Sequence, residues 1–179
     1  MEKESAILLT DGSLESAVLC AIARQRHHVL LADLAPVGDA AAREAVTRQV
    51  EYLRPPRSYC LPQVLDGAVG DDPLRLFSWT TALSAAAPLL RQNHAGALYV
   101  PIRVGLEGEA FARVAEFLQI WEELYRHGLA LGPVKVVAPL LELEPWQVAD
   151  LSHQMNAPAT PAHGKEHHAA FVRAGRAQP

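Results

Sequence analysis

Cysteine and positive charge are both scarce in this sequence. Only two cysteines, Cys20 and Cys60, occur among 179 residues, and they stand far apart in apolar contexts. We therefore expect buried free thiols rather than a disulfide or a metal site. The net charge is −4, which argues against a broad nucleic-acid-binding surface, so no nucleic-acid partner is expected.

Long apolar runs are absent as well. No run reaches the length that spans a membrane. The first ten residues lack a basic segment followed by an apolar core, so we expect no signal peptide. Half of the residues are hydrophobic and a fifth are charged, which is the composition of an ordinary globular domain. A cytoplasmic protein without a membrane partner is the expectation.

Apolar runs typical of strands alternate with helical patterns along most of the chain. Strands are predicted at 5–10, 28–34, 58–64, 96–104 and 134–140. Helices are predicted at 14–26, 39–53, 71–94, 108–128 and 144–156. The alternation predicts the α/β class, with a single doubly wound sheet of about five mainly parallel strands and helices on both faces.

Several helix starts and core positions follow from local signals. Asp39 is the expected N-cap of the second helix, Asp72-Pro73 the expected start of the third, and Pro145 lies in the first turn of the last. The apolar side chains expected in the core include Trp79, Phe111, Val114, Leu118, Trp121, Tyr125 and Trp146. We expect the three tryptophans to pack in the core rather than to stack on a base.

The stretch LLTDGSLESAVLC (8–20) is the strongest candidate for a binding site. An apolar run ends there, a turn with Asp11 and Gly12 follows, and a helical pattern begins near Leu14. Many proteins hold phosphate in such a turn, because free N–H groups at a helix start attract anions. In a parallel sheet this turn lies at the carboxyl edge, where ligands bind. Asp11 and Glu15, however, place two carboxylates where the phosphate would lie.

These residues resemble the adenine nucleotide alpha-hydrolase-like superfamily with its pyrophosphatase (PP) loop, and within it the 7-cyano-7-deazaguanine synthase family of queuosine biosynthesis. That family carries Ser-Gly-Gly-Leu-Asp-Ser after its first strand. The matching residues here are Asp11, Gly12, Ser13, Leu14, Glu15 and Ser16. Arg75 matches an arginine of the family's Arg-Asn pair, with Leu76 in place of the asparagine, and residues 139–158 follow the family pattern without a gap.

The resemblance implies a Rossmann-like fold of the PP-loop ATPase type over residues 1–158, with residues 159–179 in place of the family's zinc-binding region. It also implies that residues 11–16 bind nucleotide and that Arg75 lines the substrate pocket. The implied activity uses Mg-ATP to adenylate a 7-deazaguanine carboxylate, which ammonia converts to the amide and then to the nitrile. A homodimer and a structural zinc held by four cysteines are further implications.

Three departures from the family pattern concern phosphate and zinc. A carboxylate about 4 Å from a phosphate oxygen costs roughly 4 kcal/mol at an effective dielectric of 20. Asp11 therefore either weakens an ATP site or caps the helix itself. Glu144-Pro145 stands where the family has Thr-Lys, so the phosphate-binding lysine is lost, or the segment is an ordinary proline-started helix.

The third departure is the loss of the four zinc cysteines. His163 and His167 have i,i+4 spacing and are the candidate metal ligands of the tail, with a solvated histidine cluster as the other interpretation. We expect no metal and no zinc there.

The leading hypothesis is a degenerate 7-cyano-7-deazaguanine synthase-like pseudoenzyme that needs no cofactor. It would act by binding a nucleotide, a nucleobase or a protein partner. The alternative is a working ATP-dependent ligase that uses ATP and Mg²⁺ and forms AMP and pyrophosphate. A stabilising subunit of a catalytic homologue is a third possibility.

Overall fold

The computed structural model of the protein describes residues 3–36, 38–61, 74–105 and 108–160. Within these ranges strands alternate with helices, as predicted. The elements are β1 (Ser5–Thr10), α1 (Leu14–Arg26), β2 (His28–Asp33), α2 (Ala40–Leu53), β3 (Ser58–Cys60), α3 (Leu76–Gln92), β4 (Ala97–Tyr99), α4 (Glu109–Glu123), β5 (Lys135–Val137) and α5 (Pro145–Gln154). A π-helical turn, Leu124–Gly128, continues α4. None of the helices described is long and apolar enough to cross a membrane.

The five strands form one parallel sheet in the order β3-β2-β1-β4-β5. β1 is the central strand, and its Leu8 lies opposite Leu31 of β2 and Tyr99 of β4. The chain runs from β1 to one edge and then returns to the other side of β1. The carboxyl ends of β1 and β4 therefore flank the point where the strand order reverses, which is where ligands bind in open sheets of this kind.

Helices cover both faces of the sheet, because successive side chains of a strand point to opposite faces. Ile7 and Leu9 of β1 pack in a core with α3 and α4. Leu8 packs on the other face with Val18 of α1 and Val148 of α5. The predicted class and the doubly wound arrangement are confirmed.

Three strands are shorter than the apolar runs predicted. β3, β4 and β5 have three residues each. Pro101 follows β4 and Pro139 follows β5, and a proline has no N–H to donate to the sheet. Val100, Pro101 and Ile102 beyond β4 are buried all the same. After β4, the apolar run thus indicated burial but overestimated strand pairing.

Predictions for the helix ends had mixed outcomes. Asp39 caps α2, since the Ala42 N–H donates to its Oδ1 at 3.0 Å, and Pro145 is the first residue of α5. α3 begins at Leu76, with Arg75 as its N-cap in the left-handed region at φ 52°. Asp72-Pro73 lies outside the described residues. α4 ends at Glu123, and the last predicted turn is π-helical.

Two predicted burials are wrong. Trp79 and Trp121 are core residues, but Trp146 is 45% exposed. It stands in the first turn of α5, ahead of the turns that bury Val148 and Ala149. Cys20 is buried and Cys60 is exposed, although both thiols are free as expected. Cys60 lies on the edge strand β3 and lines the open cavity between α2 and β3.

The opposite edge strand, β5, is covered by a side chain of α4. The Val136 N–H donates to Glu122 Oε1 at 2.9 Å. Lys135 Nζ lies 3.5 Å from Glu122 Oε2. A carboxylate of the neighbouring helix thereby takes a backbone donor of the edge strand.

Candidate functional site

A cavity of about 360 Å³ opens at the carboxyl edge of the sheet, beside the point where the strand order reverses. It is lined by Asp11, Leu74, Arg75, Trp79, Pro101, Ile102, Arg103, Val104 and Ala110. These residues come from the connection after β1, the start of α3, the connection after β4 and the first turn of α4. Its position makes it the candidate binding site.

Two other surface cavities have similar volumes. One of about 350 Å³ lies between the end of α3 and the segment after the π-helical turn, and one of about 360 Å³ lies between α2 and β3. Neither is lined by residues of the turn after β1 or of the connection after β4. The first cavity alone among these three combines both segments at the carboxyl edge of the sheet.

The turn after β1 is closed by its own side chains. The Ser13 N–H donates to Asp11 Oδ1 at 3.0 Å, and the Ser16 N–H donates to Ser13 Oγ at 3.2 Å. The N-cap of α1 is therefore Ser13, and the interpretation that Asp11 caps the helix is wrong. Asp11 lies two residues before the cap and holds the turn instead. Its carboxylate still occupies a backbone N–H of the loop.

Glycine is required at position 12 for a structural reason that does not involve phosphate. Its φ is +81°, and a Cβ built on it would lie 2.6 Å from the carbonyl oxygen of Ala42 in the first turn of α2. Only a residue without a side chain allows this approach. The glycine that matches the family loop is therefore required by packing between the turn and α2.

A buried polar network lies beneath the turn. Thr10, Ser16 and Gln49 are fully buried. The Thr10 hydroxyl donates to Gln49 Oε1 and accepts from the Gly12 N–H. The Ser16 hydroxyl donates to the Ser13 carbonyl at 2.9 Å and accepts from Gln49 Nε2 at 3.1 Å. Ser16 thus points into the protein.

The sequence had not indicated that Thr10 and Gln49 support the loop. Leu14 is an apolar packing residue, since its side chain lies against the core between α1 and α5. Of the six loop residues predicted to bind nucleotide, Asp11 lines the cavity, whereas Leu14 and Ser16 serve the fold.

Glu15 forms an ion pair across the site. Arg103 Nε donates to Glu15 Oε1 at 2.8 Å, and the two side chains are 26% and 22% exposed. Glu15 lies in the first turn of α1, and Arg103 lies on the connection after β4. Sequence reasoning missed Arg103, because the two residues are 88 positions apart and no local motif marks the arginine.

Charges of both signs meet at the site. Asp11 and Glu15 are negative, and Arg75 and Arg103 are positive. Asp11 and both arginines line the cavity. Two carboxylates and two guanidinium groups leave these four residues with no formal excess of positive charge. A polyphosphate would need such an excess to offset its own charge.

Glu144, the N-cap of α5, lies close to the connection after β4. Its N–H donates to Gln147 Oε1 at 2.7 Å, so the segment is an ordinary proline-started helix, as one interpretation held. A Cβ on Gly105 would lie 2.7 Å from Glu144 Oε1. The carboxylate of Glu144 thus packs on the same connection that carries Arg103.

No cluster of three or more histidine, cysteine or acidic side chains suited to a metal ion occurs in the ranges that the structure describes. His163 and His167 lie outside those ranges. The expectation that the tail binds no zinc stays a prediction.

No family model matches the chain, and no curated protein matches its sequence. Among solved structures, the chain is similar to the crystal structure of a predicted subunit of tRNA methyltransferase from Methanocaldococcus jannaschii. The TM-score is 0.54 with 13% sequence identity over 86% of this chain and 74% of that chain. The likeness supports the Rossmann-like α/β fold and, at this identity, nothing finer.

Proposed function

We propose that this protein is a PP-loop-like, 7-cyano-7-deazaguanine synthase-like pseudoenzyme that binds an uncharged nucleobase or nucleoside. The ligand would occupy the cavity between the turn after β1 and the connection after β4. The observation that carries the proposal is the position of Asp11, whose carboxylate accepts the Ser13 N–H and lines the cavity.

Asp11 argues against ATP as the ligand for two reasons. It already occupies a backbone N–H of the turn, and its charge repels phosphate at the distance that binding requires. The other phosphate-binding element that the resemblance implies is also missing, because Glu144-Pro145 stands where the family has Thr-Lys. A loss at both places favours a protein that kept the fold without the adenylation chemistry.

The composition of the cavity favours a flat heterocycle. Its apolar walls are Trp79, Pro101, Ile102, Val104, Leu74 and Ala110. Asp11 supplies an acceptor for ring and exocyclic N–H groups, and Arg75 and Arg103 carry donors for ring nitrogens or carbonyl oxygens. A nucleobase has apolar faces and a polar edge of this kind, and about 360 Å³ falls in the size range of small-molecule sites.

The similar structure from Methanocaldococcus jannaschii is described as a tRNA methyltransferase subunit. A nucleobase ligand is compatible with that description and does not depend on it. The homodimer and protein partners that the resemblance implies stay predictions.

Calorimetric titration tests the proposal with three ligands: guanosine, 7-carboxy-7-deazaguanine and Mg-ATP. We expect guanosine, which is uncharged, to bind in the micromolar range, roughly −8 kcal/mol, and the two anions, 7-carboxy-7-deazaguanine and Mg-ATP, to bind far more weakly. Incubation with Mg-ATP, ammonia and 7-carboxy-7-deazaguanine should release neither AMP nor pyrophosphate.

The opposite result would be micromolar Mg-ATP binding with release of AMP and pyrophosphate. The protein would then be the working ligase, and the pseudoenzyme proposal would be wrong.

A further inference from the structure

The Glu15–Arg103 ion pair joins the first turn of α1 to the connection after β4, at the edge of the proposed site. We infer that this pair selects the charge of the ligand. While it is intact, the charge of Arg103 is neutralised and the site admits uncharged ligands; when Glu15 is replaced by an uncharged residue, the same arginine becomes available to an anion. The inference deepens the proposed function by naming the pair that sets its specificity.

The environment makes the ion pair strong enough for this role. The bond is charge-assisted, and the donor and acceptor atoms lie 2.8 Å apart. Both side chains are about three-quarters buried, so water and salt screen the pair less than they screen an exposed one. The Glu44–Arg48 pair of α2 is the contrasting case, because its side chains are 61% and 42% exposed and water and salt screen it more strongly.

An anionic ligand would compete with Glu15 for the same groups. The first amides of an α-helix have no acceptor within the helix, and the helix dipole favours negative charge there. Glu15 already supplies that charge and also holds Arg103. Because the carboxylate is tethered beside its partner, it competes at an effective concentration in about the millimolar range or above.

Other charges around the cavity limit the size of the effect. Asp11 lines the cavity and would still repel an anion after Glu15 is neutralised, whereas Arg75 would attract it. Glu144 packs on Gly105 of the same connection. We therefore expect a gain of about tenfold in anion affinity, well below the value for an isolated charge pair.

The experiment titrates inorganic pyrophosphate into the natural protein and into Glu15→Gln at low ionic strength. Glutamine keeps the shape of the side chain and removes the charge. We expect pyrophosphate to bind Glu15→Gln about tenfold more tightly. The gain should disappear in the double variant Glu15→Gln/Arg103→Gln. Glu44→Gln, which removes the charge of an ion pair away from the site, is the matched control and should leave the affinity unchanged.

Melting curves accompany each titration. Glu15→Ala serves as a second variant if Glu15→Gln does not fold, because alanine favours the helix, and the same gain is expected. Equal pyrophosphate affinity in the natural and Glu15-substituted proteins would overturn the inference, and so would a gain that persists without Arg103. Guanosine binding by the natural protein is measured separately, so failure of the proposed function remains distinguishable from failure of this inference.

Discussion

Gly12 lies so close to the first turn of α2 that a Cβ on it would stand 2.6 Å from the carbonyl oxygen of Ala42. The nearest contacts are backbone atoms, which cannot rotate away as the end of a side chain could. The turn after β1, the start of α1 and the start of α2 are therefore packed as one unit. This contact fixes part of the shape of the loop at the candidate site.

Gly12→Ala should lower the free energy of unfolding by roughly 2–4 kcal/mol, from backbone strain and the clash together. Gly132→Ala is the matched control: its φ is +84°, and a Cβ there meets nothing within 4 Å. Gly132→Ala should lower the free energy of unfolding by the backbone strain alone, about 1–2 kcal/mol. Denaturant unfolding measures both, and equal losses would mean that the approach to Ala42 has no energetic weight.

Asp11→Ser combined with Ser13→Gly rebuilds the loop of the resembling family. Removal of the carboxylate should raise Mg-ATP affinity by roughly one to three powers of ten. The double change removes the Asp11 carboxylate that accepts the Ser13 N–H and puts glycine at the N-cap of α1, which adds backbone freedom, so together it should also lower stability by about 1 kcal/mol. Calorimetry and melting curves give the two values. Asp39→Ser alters the N-cap of α2 and should leave ATP affinity unchanged; a similar gain there would contradict a local role for Asp11.

Gln49→Leu should destabilise the protein by roughly 2–4 kcal/mol, because it leaves the buried Thr10 and Ser16 hydroxyls without their amide partner. Gln154→Leu provides the control. Gln154 is exposed and donates to Asp150 on the same helix. Gln154→Leu should therefore change the free energy of unfolding by no more than about 0.5 kcal/mol. Comparable losses in urea unfolding would show that the network adds no stability.

His27 should make the protein less stable in mild acid. Burial lowers the pKa of His27, and Arg26 and Lys3 lower it further, while Glu4 opposes them. Tyr99 contacts the ring, with its hydroxyl 3.1 Å from Nδ1. The unfolded chain then binds a proton at a higher pH than the folded one. The stability contributed by the neutral ring is complete above about pH 6.5 and is lost as the pH falls through the lower folded value.

Melting temperatures measured from about pH 7.5 to about pH 5 test this sign. The natural protein should lose more stability over that range than His27→Gln. His28→Gln, at an exposed neighbouring position, should follow the natural protein. If the natural protein instead became more stable relative to His27→Gln as the pH falls, the pKa of His27 would be raised by folding and the prediction would be wrong.

The parts of the fold that sequence could predict are those with local causes. β1 and α1 have the predicted bounds, because a buried run, a turn with Gly12 and a helical stripe follow one another directly. Pro101 and Pro139 explain why neighbouring strands stop early, and both were visible in the sequence. Their effect on pairing was missed because an apolar run gives the same signal in a strand and in a buried connection.

The site was harder to predict, since its main contacts join distant positions. Arg103 and Gln49 meet the loop only after the strands are ordered, and neither belongs to a motif. Asp11 and Ser13 are both good capping residues, so composition could not decide between them. The geometry of the turn assigned the cap to Ser13.

The contact between Glu122 and the Val136 N–H has a consequence for self-association. A second copy adding a strand along β5 would first have to separate that bond and accommodate the charge of Lys135. A homodimer, which the resemblance implies, should therefore not form by continuing the sheet across β5. The same contact disfavours aggregation by the addition of strands from other molecules to the edge strand β5.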